Sequence, residues 1–213
     1  MENNSKNLRR ILWTVLAVFL LGIGLFSLYT WMKSQELTKP TQVLTDYGVV
    51  PDFSLIRQDK TPFTLSDLKG HIWVADFIFT HCAGTCPMMT SKMASLQKSM
   101  MKTGDVRLIS FSVDPTRDTP EVLEKYAKNF GADTKTWFFL TGPVSSIFTL
   151  AKNGFHLPVD SVGGDQTSPI VHSERFVLVD AKGHIRGYYD GTSEEVQPKL
   201  LMDMGDLMRE AKQ

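Results

Sequence analysis

Two cysteines, Cys82 and Cys86, are the residues in this 213-residue chain whose type and spacing best suit chemistry. They are four positions apart and are followed by Pro87, a residue favoured in the first turn of a helix. On a tight turn that leads into a helix, this spacing places both sulfurs on one side, close enough to form a disulfide or to share a metal ion. The thiolate is both a nucleophile and a metal ligand. The pair therefore indicates thiol–disulfide exchange or metal binding, rather than two structural cysteines in a core.

Two soft sulfur ligands favour Cu(I) or Zn²⁺, but they do not complete a site. A third ligand could come from the histidines, which stand at positions 71, 81, 156, 172 and 184. His71 lies at the far end of the strand that leads to the cysteines, and His81 neighbours Cys82, where strand geometry tends to point adjacent side chains apart. His156 and His172 flank residues 158–169, a predicted long loop, and long loops usually serve a function. These observations leave the choice of histidine open.

The segments around the cysteines predict a sheet that positions them. Residues 72–79 and 106–113 are nearly continuous apolar runs, as in strands that are covered on both faces. Further strands are predicted at 50–55, 137–140, 175–180 and 184–189, and helices at 87–103, 120–130, 144–153 and 194–212. Parallel strands joined by a helix and followed by a closing hairpin predict an α/β fold, a thioredoxin-like mixed sheet with helices on both faces. Ligands bind at the carboxyl ends of strands in open α/β sheets, which is where the cysteines fall.

A membrane anchor is predicted before this domain. Residues 11–32 carry no charge, and as a helix they reach about 33 Å, enough to cross a hydrocarbon core of about 30 Å. The stretch is longer than the apolar part of a signal peptide and ends in bulky residues, which favours an uncleaved anchor. The predicted organisation is a cytoplasmic amino terminus at 1–10, an anchor at 11–32, a tether at 33–48 and a folded domain at 49–213.

The charges suggest where the domain works. Lys6, Arg9 and Arg10 precede the span, so the positive-inside rule places the amino terminus in the cytoplasm and the domain on the periplasmic side of a cell inner membrane. In that space a cysteine pair can be oxidised. The chain has 23 basic and 23 acidic residues, which argues against a nucleic-acid partner.

Three ordered motifs resemble those of the Sco/SenC family, membrane-anchored thioredoxin-like copper proteins used in assembling cytochrome c oxidase. The motifs are the segment 77–87 with its CxxxC, the segment 112–120 (SVDPTRDTP), and Val171-His172-Ser173 followed by residues 176–180. The resemblance covers about residues 49–195. It implies copper, Cu(I) or Cu(II), as the bound metal and Cys82, Cys86 and His172 as its ligands. It also implies Asp114 and Asp118 as candidates to support the site.

This chain departs from the family pattern between the cysteines. Many members carry proline and an acidic residue there, whereas this chain has Ala83-Gly84-Thr85. The departure bears on Cu(II) affinity and on partner recognition. Methionines follow Cys86 on the predicted helix, and we expect them to fill the core rather than to bind copper.

Three hypotheses follow. The first is a copper metallochaperone, not a turnover enzyme, that takes copper from a donor protein and delivers it to a cytochrome c oxidase subunit, at its dinuclear copper site. The second is a thiol–disulfide oxidoreductase that reduces the cysteines of the target before metal insertion, with Cys82 attacking and Cys86 resolving. The third is a peroxidase of the peroxiredoxin kind, suggested by Pro51-Asp52-Phe53 and residues 65–68.

Overall fold

The structure, a computed structural model, describes residues 2–37, 43–100, 106–157 and 173–211. The chain divides into two units, Met1–Thr41 and Gln42–Gln213. In the first unit, α1 (Glu2–Leu37) contains an apolar stretch, Leu12–Met32, of 21 residues with a mean hydropathy of 2.1 and exposed side chains. A helix of that length and composition can cross a membrane, in agreement with the predicted anchor.

The second unit is built on a mixed sheet of seven strands. They are β1 (Ser54–Arg57), β2 (Pro62–Thr64), β3 (Ile72–Ile78), β4 (Val106–Ser112), β5 (Trp137–Thr141), β6 (Arg175–Val179) and β7 (Ile185–Asp190), in the spatial order β2-β1-β5-β4-β3-β6-β7. Strands β3, β4 and β5 are parallel, and the other pairs are antiparallel. All seven residues of β3 are buried, as its apolar sequence predicted.

Helices cover both faces of this sheet. They are α2 (Thr85–Met100), α3 (Pro120–Asn129), α4 (Val144–Thr149), which continues into a π-helical turn at Leu150–Gly154, and α5 (Val196–Glu210). On one face, Tyr126 of α3 packs against Phe139 of β5 and hydrogen-bonds to Thr90 of α2. On the other face, Phe155, just after the π-helical turn, packs against Trp73 and Phe77 of β3. The predicted thioredoxin-like fold is confirmed.

Two of the element boundaries that differ from the prediction have an identifiable physical reason. Helix α2 begins at Thr85, two residues before the proline expected to open it, because the first four N–H groups of a helix need no intrahelical partner and proline fits anywhere among them. Strand β1 begins at Ser54 rather than near Val50, since Pro51 has no N–H to give to a ladder. Tyr47, within the predicted tether, donates a hydrogen bond of 2.9 Å to Ile185 of β7.

Candidate metal centre

The two cysteines lie where β3 leads into α2. Strand β3 ends at Ile78, and the chain then turns, with the N–H of Cys82 donating a 3.3 Å hydrogen bond to the carbonyl of Phe79. Cys86 lies in the first turn of α2 and is 1% exposed, whereas Cys82 is half-buried, and both are free thiols. The pair therefore has an outer sulfur that solvent reaches and an inner one that it does not.

Burial controls the protonation of the inner thiol. It raises the pKa of Cys86 far above the ordinary value, and the sulfur of Cys82, within hydrogen-bonding reach, raises it further, while a hydrogen bond with the backbone of Phe79 opposes the shift. Cys86 is thus a neutral thiol in the metal-free protein. A soft metal ion that binds it must displace the proton, because thiolates are the ligating form.

A carboxylate, Asp76, lies in β3 on the sheet face that α2 and α3 cover. It is fully buried, and neither carboxylate oxygen has a hydrogen-bond partner among the described residues. Ser110 lies beside Asp76 in register on β4 but does not donate a hydrogen bond to it. The hydroxyl of Ser110 accepts a hydrogen bond from the indole of Trp137. Burial raises the pKa of Asp76 to about 7. The sequence offered a signal for this group, since it is the charged residue in an otherwise apolar strand.

A second buried carboxylate, Asp118, holds the segment that precedes the cysteines. It is 0% exposed. Its oxygens accept hydrogen bonds from the backbone N–H of Thr80 at 3.1 Å, the hydroxyl of Thr80 at 2.5 Å and the hydroxyl of Ser112 at 2.6 Å. These bonds join the residue two positions before Cys82 to the end of β4. The structure therefore brings Asp118 into contact with the cysteine segment.

The other predicted acidic residue, Asp114, has different partners. Its carboxylate pairs with Arg117, and its carbonyl accepts a 2.8 Å hydrogen bond from the N–H of Asp118. These contacts close the loop between β4 and α3. Asp114 therefore shapes the loop that carries Asp118, and among the described residues it makes no hydrogen bond or ion pair with the cysteine segment.

Helix α2 is fixed at two points that the sequence did not reveal. The hydroxyl of Thr90 donates to the carbonyl of Cys86 at 2.8 Å and shares a 2.8 Å hydrogen bond with the hydroxyl of Tyr126. Two residues further along, the ammonium of Lys92 donates to the carbonyls of Gly191, Thr192 and Ser193 at 2.8–2.9 Å. The helix that carries the inner thiol is thus tied to α3 and to the loop after β7.

The histidines are dispersed over the unit. His81 is exposed beside Cys82, His71 precedes β3 at the opposite end of the sheet, and His184 pairs with Asp46 at 2.8 Å. His156 is exposed and has a positive φ of 51°. His172 lies outside the described residues, and within those residues no three His, Cys, Asp or Glu side chains are arranged to hold a metal. The predicted ligand set therefore stays a prediction.

The methionines after Cys86 mostly fill the core. Met89, Met93 and Met100 are buried against the sheet, and Met88 is 39% exposed. Their burial accords with a packing role.

Fold and site together define a class: a thioredoxin-like protein with a CxxxC dithiol at the amino end of the helix that follows a central strand.

Comparison with known proteins narrows that class to one family. A sequence profile of the SCO1/SenC family matches residues 42–208, and the chain belongs to this family. The SCO1 protein homolog of Bacillus subtilis is 38% identical over 161 residues, which are 75% of this chain and 82% of that protein.

Two solved structures extend the comparison. BsSco, described as a member of the Sco family of cytochrome c oxidase assembly proteins with a disulfide switch, is 34% identical, with a TM-score of 0.68 over 79% of this chain and 98% of that one. ScoI of Bradyrhizobium japonicum, solved with copper bound, is 24% identical, with a TM-score of 0.62 over 76% of this chain and 99% of that one, and it shows the shared fold.

Proposed function

We propose that this chain is a membrane-anchored copper carrier that holds the ion at Cys82, Cys86 and His172. The observation that carries the proposal is the pair of free thiols in reach of each other at the amino end of α2. Soft sulfur ligands with an imidazole suit copper. Family membership and the copper-bound and oxidase-assembly relatives support the same metal and the same pathway. Copper would come from a donor protein and pass to the cytochrome c oxidase subunit that carries the dinuclear copper site.

Copper transfer needs a site that a partner can enter. Cys82 is half-buried, so an incoming thiolate can reach the ion on that side while the inner sulfur of Cys86 still holds it. A site with only three ligands leaves room for the incoming group. The loop between the cysteines adds little hindrance, since Ala83 and Gly84 are both exposed, the first with only a methyl group and the second with no side chain.

The test is a copper titration of the full-length protein in detergent, with Cu(I) and Cu(II) in separate experiments. We expect one copper per chain, and a large loss of affinity in each of Cys82→Ser, Cys86→Ser and His172→Ala, because three ligands leave no spare. His184→Ala is the matched control and should bind as the wild type does, since that ring lies at the other end of the sheet. Wild-type affinity in His172→Ala would remove that histidine from the site.

The different exposure of the two sulfurs favours a second function, thiol–disulfide exchange. The thiolate of Cys82 would attack a disulfide of the target, forming a mixed disulfide and releasing one target thiol. Cys86 would then attack the sulfur of Cys82, release the second thiol and leave the Cys82–Cys86 disulfide, so that two electrons pass to the target. This reaction does not need His172. Thiol exchange that survives His172→Ala while oxidase assembly fails would assign the cellular role to copper.

We also propose that the domain, residues 49–213, lies outside the cytoplasm. Residues 1–10 would lie in the cytoplasm, α1 would cross the inner membrane once through residues 11–32, and residues 33–48 would tether the domain 49–213 on the periplasmic side. Protease added to spheroplasts should digest the domain, whereas protection of the domain until the cells are lysed would reverse the topology.

A further inference from the structure

A chain of hydrogen bonds leads from the buried Asp118 to the exposed ring of His81. The hydroxyl oxygen of Thr80 lies 2.5 Å from Oδ1 of Asp118 and 3.2 Å from Nδ1 of His81. A hydroxyl has one proton to donate, and it donates that proton to the carboxylate in the short contact. Towards His81 the hydroxyl can therefore only accept a hydrogen bond. It follows that Nδ1 of His81 carries a proton and that the neutral ring keeps its lone pair on Nε2.

This arrangement is the one that supports histidine ligands of metals. A metal-ligating histidine almost always donates its other ring N–H to a carboxylate, a carbonyl or a water, which fixes the tautomer and the orientation of the ring. Here the partner is a hydroxyl that is itself held by a carboxylate. Within the described part of the chain, Nε2 of His81 has no hydrogen-bond partner, and the side chain is exposed.

The backbone allows His81 and Cys82 to act together. Along a strand, neighbouring side chains point to opposite faces, but β3 ends at Ile78 and residues 79–82 form a hydrogen-bonded turn. Both residues reach the surface, because His81 is exposed and Cys82 is half-buried. Cys86 is 1% exposed, so an arriving ion reaches His81 and Cys82 before it reaches Cys86.

We propose that Nε2 of His81 and the sulfur of Cys82 form a rim site, which holds copper while it passes between a partner and the inner thiol. The inference rests on the proposed copper-carrying function and adds His81 as a further copper ligand. Entering copper binds Cys82 and His81, and then exchanges the imidazole for the sulfur of Cys86. The proton of the Cys86 thiol leaves to solvent, and the oxidation state of copper does not change.

His184 provides the matched control. Its ring is likewise held through Nδ1, although the partner here is a carboxylate, that of Asp46 at 2.8 Å, rather than a hydroxyl. It lies at the opposite end of the sheet, however, where Val49 and His184 form a bridge, and neither cysteine is nearby. A general effect of removing an exposed histidine would appear in both variants, whereas the loss of a rim ligand would appear only in His81→Ala.

The experiment isolates the rim pair in the full-length protein in detergent. The background Cys86→Ser/His172→Ala leaves Cys82 and His81, and Cu(I) is titrated in competition with a chromogenic chelator. We expect one Cu(I) per chain, bound at least about 10-fold more weakly when His81→Ala is added, since loss of even an outer partner of a metal ligand costs about 10–100-fold. Binding should be unchanged when His184→Ala is added. Thr80→Val should weaken binding as well, because Nδ1 loses its partner, and Thr80→Ser should restore it. Equal affinities with and without His81, or no binding in the background, would overturn the rim site.

A second measurement needs no change to the cysteines. In the otherwise wild-type protein, His81→Ala should slow the release of Cu(I) to excess chelator about tenfold and leave the dissociation constant unchanged, because a ligand used only in transit alters rates and not the end states. An unchanged release rate would count against the proposal. If the wild-type protein bound no copper, the proposed function itself would fail, and that result is separate from either outcome for His81.

Discussion

Asp118 accepts hydrogen bonds from both the backbone N–H and the hydroxyl of Thr80, two residues before Cys82. A fully buried carboxylate thus holds the segment that carries the outer thiol. Asp118→Ala leaves two hydroxyls and one N–H without their acceptor, and we expect it to lower the free energy of unfolding by about 3 kcal/mol. Urea unfolding followed by the fluorescence of the buried Trp73 and Trp137 measures this loss.

Asp114→Ala is the matched control for that variant. Its carboxylate faces Arg117, whose side chain is 37% exposed, so water screens the pair and its loss should cost about 1 kcal/mol or less. Copper affinity should fall in Asp118→Ala and change little in Asp114→Ala. Equal effects of the two substitutions would show that the loop as a whole, rather than the contact between Asp118 and Thr80, supports the site.

Asp76 should make the stability of the domain depend on pH. Its pKa is raised from 3.8 to about 7 by burial, so the folded protein holds a proton that the unfolded chain has lost. Stability therefore falls as the pH rises from about 4 to about 7, by at most about 4 kcal/mol, and stays low above that range. Unfolding measured from pH 4 to pH 8 should show this decline.

Replacing Asp76 with asparagine removes the ionisation and keeps the shape. Asp76→Asn should match the wild type near pH 4 and exceed its stability by an increasing margin towards pH 8. Stability curves that run parallel for the two proteins across this range would mean that the carboxylate ionises freely in the folded state. The measurement is made without copper, so that metal binding does not contribute to the slope.

The apolar runs of the sequence predicted most of the fold, because burial on both faces leaves a continuous signal in β3 and β4. The hydrogen-bond partners of the site could not be predicted in the same way. Thr80 follows β3, whereas Ser112 and Asp118 belong to the end of β4 and the loop after it. The parallel pairing of β3 with β4 is what brings Thr80 to Asp118. Asp76 was visible as a charge within an apolar strand, but its missing partners depend on the packing around it. His172 was selected by resemblance, and it lies outside the described residues.

Alkylation should distinguish the two thiols. The thiolate is the reacting form, and burial both shields Cys86 and raises its pKa, whereas Cys82 is half-buried. With iodoacetamide at pH 8 we expect Cys82 to react at least about tenfold faster, since one pKa unit already changes the thiolate fraction tenfold. Fragmentation mass spectrometry of the tryptic peptide that contains both residues gives the two rates. In urea the rates should converge, and equal rates in the folded protein would contradict the buried position of Cys86.

Oxidation should abolish copper binding by the same pair. Metal ligation needs thiolates, and a Cys82–Cys86 disulfide offers none. Cys82 and Cys86 are four residues apart where the chain turns into α2, and we expect the bond to close with little movement of the backbone. The protein is oxidised, the loss of free thiols is confirmed by a thiol reagent, and Cu(I) is offered in an anaerobic titration with a chelator that does not reduce disulfides.

We expect no binding before reduction and one copper per chain after it. Cys86→Ser, which cannot form the internal disulfide, serves as the control, and the weaker copper binding that it retains should be the same before and after the oxidising treatment. Undiminished binding by the fully oxidised wild type would place the metal away from the cysteines and remove the basis of the proposed function.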